Sequence, residues 1–326
     1  MTTSAHPDLA AVVELARHAP SVHNTQPWSF TAEGDSLTMR RDDTRRLPVL
    51  DPDARQQTIS CGAALHLARL GLRLQGFDPA VEISTSGDGS LVVRITAHPG
   101  SAPTPEEVVL EHAARSRHMQ RGPFDPREVE PEVVHAMREA AQDEGAWVRF
   151  LVSTLDQVPL AVLLSHADEA EAHDEAYRAE LAEWTSRPET ARDGVPPEAA
   201  DLGPGTRASD LRLRDFAHSE DGPGAEASGA DEPPVAEHPL VAVIGTAGDS
   251  PQDWLVAGQA LSALLLQATV DGVQASPLGQ VLDQPWSRRR LAGELGSVGH
   301  PQMVLRLGHA VPGPETPRRP VDELLG

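Results

Sequence analysis

Apolar residues recur at helical spacing in several long stretches of the chain, with shorter apolar runs between them. Leu9, Val12, Val13 and Ala16 share one face of a helix over 7–19. A longer apolar-periodic run, 54–75, predicts a central helix stopped by Gly76. The same reasoning predicts helices over 106–115, over 131–142 behind Pro131, over most of 155–184, over 252–270 with Gly272 as the stop, and over 286–295. Short apolar runs bounded by turn residues predict strands at 28–31, 37–41, 81–85, 91–96, 147–152, 240–245 and 302–308. Gly34-Asp35 and Gly87-Asp88-Gly89 mark two hairpin turns. Between 186 and 234 the pattern stops, and Gly, Pro, Asp, Glu and Ala dominate. A stretch of that kind is a lid, a binding loop or disorder. Its central apolar cluster, Leu211, Leu213 and Phe216, predicts that 210–216 docks on the rest of the protein and that 219–231 stays mobile.

Two of the helices match each other at a constant offset. Gly62/Gly258, Ala64/Ala260, Leu65/Leu261, Leu70/Leu266 and Gly76/Gly272 are identical. A strand follows each, and Leu91-Val92-Val93-Arg94-Ile95 parallels Met303-Val304-Leu305-Arg306-Leu307. The reading is an α+β unit present twice, in halves of 1–100 and 101–326 related by a pseudo-two-fold, with small residues letting the two long helices pack closely.

Charge narrows the function classes. The chain of 326 residues has 27 basic and 49 acidic residues, a net charge of −22, and every basic residue is arginine. An acidic surface argues against nucleic-acid and anionic-membrane partners. No apolar leader or membrane-length run occurs, so a soluble, cytoplasmic protein is expected. Cys61 is the single cysteine, which excludes an internal disulfide and multi-cysteine metal sites, and the fourteen histidines show no metal-site spacing.

Candidate chemistry concentrates in three places. Residues 19–28 read APSVHNTQPW: two prolines stiffen a polar run of Ser21, His23, Asn24, Thr25 and Gln26 that offers donors and acceptors to a flat polar ligand or, equally, connects a helix to a strand. Residues 115–124 read RSRHMQRGPF and place Arg115, Arg117 and Arg121 after a helix, where one cation is explained by the helix dipole and three are not. The tail carries Pro317-Arg318-Arg319-Pro320, a flexible terminus or a second anion-binding cluster.

The opening run resembles the flavin-binding loop of the nitroreductase superfamily, which often reads PS-x-x-N-x-QPW, and in detail the internally fused Acg-type branch. The arginine stretch is similar to that family's R-x-[ST]-x-[RK]-x-x-F. The resemblance implies a nitroreductase-like α+β fold, an intrachain pseudo-dimer with mixed, largely antiparallel sheets wrapped by helices. It implies FMN as cofactor, NAD(P)H as electron donor, and a small flat aromatic acceptor such as a nitro compound or quinone. Arg117, Arg318 and Arg319 would then hold the phosphate, and Arg121 would sit beside the ring. Ser21, Asn24 and Gln26 would meet the polar edge of the ring, with Trp28 packed beneath, and the backbone at Pro277, Leu278 and Gly279 would face its reactive nitrogen. Met119 stands where the family usually has Ser or Thr, which removes one phosphate hydrogen bond. Neither motif occurs twice, so the resemblance implies one FMN per chain and a monomer. Two functions stay open at this point: a flavoenzyme in which FMN carries the chemistry and no side chain is catalytic, or a protein that sequesters FMN under a lid.

Overall fold

A computed structural model describes residues 6–86, 90–188, 190–196, 211, 237–296, 299–310 and 315–326. It contains two four-stranded sheets built the same way. In the first, β1 (Trp28–Glu33) and β2 (Ser36–Arg41) form a hairpin, α2 (Arg55–Leu74) crosses, and β3 (Phe77–Thr85) and β4 (Leu91–Pro99) return, in the order β1-β2-β4-β3. In the second, β5 (Trp147–Leu151) and β6 (Leu240–Thr246) pair, α7 (Pro251–Val270) crosses, and β7 (Gln274–Pro277) and β8 (His300–Gly308) return, in the order β5-β6-β8-β7. Every ladder is antiparallel, and isolated parallel bridges join Phe30 to Leu325 and Met119 to Ala275. The remaining helices are α1 (Leu9–Ala16), α3 (Pro105–Ser116), α4 (Pro131–Asp143), α5 (Thr154–His173), α6 (Glu175–Thr185), α8 (Gln280–Asp283), α9 (Pro285–Leu295) and α10 (Val321–Leu324).

Local sequence explains the boundaries. Asp8 caps α1, and Thr104 with Glu107 and Ser250 with Asp253 form capping boxes ahead of α3 and α7, each followed by proline at the first helical position. Gly76 and Gly272, matched in the repeat, take φ of 83° and 71° just past α2 and α7, a conformation open to glycine. The Gly87–Gly89 turn lies outside the described residues, as do residues 212–216 and 219–231 of the segment expected to dock or stay mobile. Leu211 is described, and it is buried in the apolar cluster that also holds Leu278, Val281 and Leu282. β7, α8 and α10 were not expected from the sequence.

The second sheet is covered on both faces, which is why β6 is buried at all seven positions. Ala242, Ile244, Leu305 and Leu307 meet α4 and α7, while Val241, Val243 and Val304 meet α5, α8 and α9. The first sheet packs Phe30, Leu37, Met39, Val93 and Ile95 on α1 and α2, and β3 is its exposed edge.

The two long helices cross at their matched glycines. A Cβ on Gly62 would lie 3.0 Å from the Gly258 Cα and nearer still to the Leu255 carbonyl; one on Gly258 would lie 2.8 Å from the Gly62 Cα and nearer still to the Ile59 carbonyl. Ile59 and Leu255 are themselves a matched pair, so the contact is reciprocal. His66 and Ser262, also matched and 196 residues apart, hydrogen-bond across the same crossing at 2.9 Å. Arg69 and Gln259 join them, and Arg69 pairs with Glu144 at 2.5 Å. Cys61 faces the Pro27 carbonyl from the same helix, and burial pushes its thiol up to about 12, so it is inert as a nucleophile.

Burial holds the His66 imidazole down to about 4, against the pull of Glu144. The unfolded chain takes up that proton near 6.5 and the folded chain only near 4, so stability is full above about pH 6.5 and falls as pH drops toward 4. We expect urea midpoints measured across that window to decline more shallowly in His66→Gln than in the wild type.

Candidate functional site

The opening loop is held in a conformation its residues do not choose. His23, Asn24 and Gln26 take φ of 45°, 55° and 48°, in the left-handed region that non-glycine residues seldom occupy. Bonds from four directions fix it. The Gln26 N–H donates to Ser21 Oγ at 3.0 Å and the Val22 N–H to Ser60 Oγ at 3.1 Å. Arg45 donates to the Thr25 carbonyl at 2.8 Å. Asn24 Nδ2 donates to the carbonyls of Gly194 (2.9 Å) and Pro317 (3.0 Å), and its Oδ1 accepts from Arg318 at 3.0 Å. Gln26 donates to the Arg192 carbonyl at 2.9 Å and accepts the Arg319 N–H at 2.8 Å.

The loop borders a cleft that encloses about 950 Å³ of empty space, part of it open solvent. Both structural units contribute. Gln56, Ile59 and Ser60 share one face of α2, and Leu261 comes from α7. Met303 comes from β8, Pro277 from the end of β7, Gly279 from just before α8 and Gln280 from its start. Arg117, Met119 and Arg121 enter from the stretch after α3, and Thr316 and Arg318 from the tail. Ile59, Leu261 and Met303 give the cleft an apolar floor.

Its cations are anchored by backbone. The stretch after α3 is tied to β7 where the Gln120 N–H donates to the Ala275 carbonyl at 2.8 Å. Its far end rests on a buried pair in which Arg306 donates to Glu237 at 2.7 Å and to the Gly122 carbonyl at 2.6 Å, with the guanidinium 4.6 Å from the centre of the Phe124 ring. Arg117 gives one bond to the His18 carbonyl at 3.3 Å, and its buried Nη1 has no partner. Arg318 bonds Asn24 and Thr316, and its buried Nε has none. Among the described residues neither guanidinium pairs with a carboxylate. Burial holds Arg117 and Arg121 down to about 10. Arg318 lies lower, at about 9, through burial first and then repulsion from Arg117, Arg17 and Arg121. All three remain charged at neutral pH. Arg117 and Arg318 repel one another and form no ion pair among the described residues, exposed Glu315 acting on Arg318 only from beyond ion-pair distance, and two such cations make an anion site.

The structure thus brings Ser21, Asn24, Arg117, Arg121, Pro277, Gly279 and Arg318 to one cleft, and leaves Gln26, Leu278 and Arg319 off its wall. Gln26 is spent on Arg192 and Arg319. The Leu278 N–H is committed to the Val304 carbonyl at 2.8 Å, and its side chain is core. Arg319 donates to the carbonyls of Gln26, Trp28 and Glu323. Arg318 lines the cleft while its neighbour Arg319 is turned to backbone carbonyls, so the tail offers the cleft one of its two arginines. Gln56, Ser60, Gln280, Met303 and Thr316 were not singled out from the sequence. The i, i+3, i+4 spacing of the α2 residues marks a shared face but not what it faces.

No protein-family model matches the chain. A Mycobacterium tuberculosis H37Rv protein named "Putative NAD(P)H nitroreductase" is 31% identical over 320 residues, covering 96% of this chain and 90% of its own. The chain belongs to the nitroreductase superfamily. Acg-type proteins are among its relatives: "Putative NAD(P)H nitroreductase acg" of the same strain is 29% identical over 326 residues, covering 97% of this chain and 95% of its own. Solved nitroreductases align more distantly. The FMN-dependent NfnB of Mycobacterium smegmatis, in complex with NADPH, is 17% identical, with a TM-score of 0.40 over 66% of this chain and 96% of that one. A nitroreductase with bound FMN from Desulfitobacterium hafniense is 13% identical, with a TM-score of 0.38 over 64% and 94%. Among the described residues of this nitroreductase-family chain, no helix is long and apolar enough to cross a membrane.

Proposed function

We propose that this nitroreductase-like oxidoreductase binds one FMN in the cleft and passes electrons from NAD(P)H to a small flat acceptor of the nitro or quinone type. The observation that carries the reading is the pair of guanidiniums, buried Arg117 and half-buried Arg318, each with a buried nitrogen that has no partner and neither ion-paired among the described residues, on the wall of a cleft with an apolar floor. The unpartnered Arg117 Nη1 and Arg318 Nε are donors suited to a phosphate dianion. Ile59, Leu261 and Met303 suit a flat ring and keep water from beneath it, and Arg121 favours negative charge nearby. When bound, FMN supplies hydride chemistry, so no side chain need act as acid or base. Arg319 and Gln26 have positioning roles: they hold the loop and tail together.

The matching sheet orders and the reciprocal glycine crossing support a duplicated unit whose contact lies inside one chain, and hence a monomer. Titrating apo-chain with FMN and following fluorescence quenching tests the reading, with a stoichiometry of one expected; anaerobic NADPH should then bleach the bound flavin. A chain that quenches no FMN fluorescence would falsify the proposal.

A second reading, sequestration under a lid, has its own observation. The described part of the 186–234 segment is stitched onto the opening loop: Asn24 and Gln26 bond the carbonyls of Gly194 and Arg192, Arg45 pairs with Asp193 at 2.7 Å, and buried Val195 lines the cleft. If this stitching limits access, Asp193→Ala speeds stopped-flow bleaching by NADPH and by dithionite. Unchanged rates in a folded, FMN-loaded variant favour the ordinary flavoenzyme.

A further inference from the structure

Gln280 is 1% exposed, lines the cleft, and has no hydrogen-bond partner at either Oε1 or Nε2. The two other amides on the cleft wall are committed: Asn24 to Gly194, Pro317 and Arg318, and Gln56 Nε2 to Asp283 at 2.6 Å. The segment carrying Gln280 is pinned on several sides. Gln56 holds Asp283, the Leu278 N–H is tied to Val304, and Ser287 donates to the Val281 carbonyl at 2.6 Å. Val281 and Leu282 are core residues of the second unit. Gln280 is therefore held at the wall with one acceptor and one amino group unmatched, a costly arrangement for a buried amide.

A primary amide presents an acceptor and a donor side by side. A carboxylate set against it would face Oε1 with like charge, and an ammonium would leave Nε2 without an acceptor. The partner that satisfies both atoms is a neutral edge carrying an N–H and a C=O next to each other. We propose that Gln280 recognises such an amide-type edge on the ligand, and so sets specificity for neutral polar groups where the arginines set it for the anion. Two ligands of the proposed function carry this chemistry: the flavin, on the lactam edge of its ring, and the nicotinamide, in its primary carboxamide. The inference rests on the FMN reading for the first source only.

The test uses Gln280→Leu and the similarly long Gln280→Met, each of which removes both polar atoms. Melting temperature and circular dichroism identify folded variants; if Leu does not fold, Met carries the test. Apo-chain is titrated with FMN and with N3-methyl-FMN, whose ring N–H is blocked. Loaded chain is titrated with NADPH and with its reduced 3-acetylpyridine analogue, which keeps the carbonyl and lacks the amino group. If the ring is the source, the wild type prefers FMN over the methylated form by about ten- to a hundredfold, and the variants lose that preference. If the carboxamide is the source, FMN affinity is unchanged and the variants lose the preference for NADPH over the analogue. Equal treatment of both ligand pairs by wild type and variant overturns the inference. Should the wild type bind no FMN, the functional reading fails separately, and NADPH against its analogue on the chain alone still decides whether Gln280 discriminates.

Discussion

Arg117→Ala or Arg318→Ala lowers FMN affinity about ten- to a hundredfold, whereas Arg319→Ala leaves affinity nearly unchanged and lowers the melting temperature instead. A charge-assisted contact to a phosphate is worth roughly 1.5–3 kcal/mol when the partner is not screened by water, and Arg117 is buried and Arg318 half-buried with a buried Nε. Neither forms an ion pair among the described residues, so removing one takes away an interaction with the ligand without breaking a protein ion pair. Arg319 is the opposite case. Its guanidinium bonds three backbone carbonyls and lies 3.6 Å from Glu323 and 3.9 Å from Asp42, so its loss strikes the junction of tail and loop. Exposed Arg290 serves as the charge control. Fluorescence-quenching titrations of the four variants decide the matter: equal weakening in all of them would mean that the arginines act only through overall charge.

Gly258→Ala costs about 3 kcal/mol or more, at the top of the usual range for overpacking. The added carbon meets backbone, namely the Ile59 carbonyl and the Gly62 Cα, and backbone cannot rotate away as a side chain can. Helices α2 and α7 must separate, and the His66–Ser262 bond between them is stretched. Gly293 in α9 is the comparison, because a Cβ there meets nothing within 4 Å. Gly293→Ala should stabilise the protein by about 0.4–1 kcal/mol, since alanine restricts the unfolded chain and suits a helix. Urea unfolding of both variants beside the wild type measures the difference, and a Gly258→Ala protein as stable as wild type would mean that the helices do not cross at that residue.

Elements with long periodic patterns were readable from the sequence, and α2 and α7 were found with ends within a residue or so of those observed. The matched glycines that revealed the repeat have physical causes now on view: two stop helices at positive φ and two let helices touch. Elements defined only by a partner were not readable. β7 is Gln-Ala-Ser-Pro, with no β-branched or aromatic residue, and is a strand because β8 pairs with it. The arginine clusters stood out by composition, yet nothing in the string separates Arg318 from Arg319; chain direction at the tail does that. Asn24 and Gln26 are ambiguous for a different reason. An amide suits a ligand and a neighbouring carbonyl equally well, and here both side chains bind the protein's own backbone. Gln280 had no signal at all, since its significance is the absence of partners in a folded neighbourhood.

The bond between Asn24 and Arg318 joins residues 294 positions apart. During synthesis, Asn24 leaves the ribosome long before Arg318 is made. Until Arg318 arrives, the loop lacks the guanidinium that accompanies it on the cleft wall and the carbonyl of Pro317 that accepts from Asn24. A nascent chain therefore carries an incomplete site, however well its first sheet has folded. Under the proposed function, loading with a phosphate-bearing ligand is then a post-translational event.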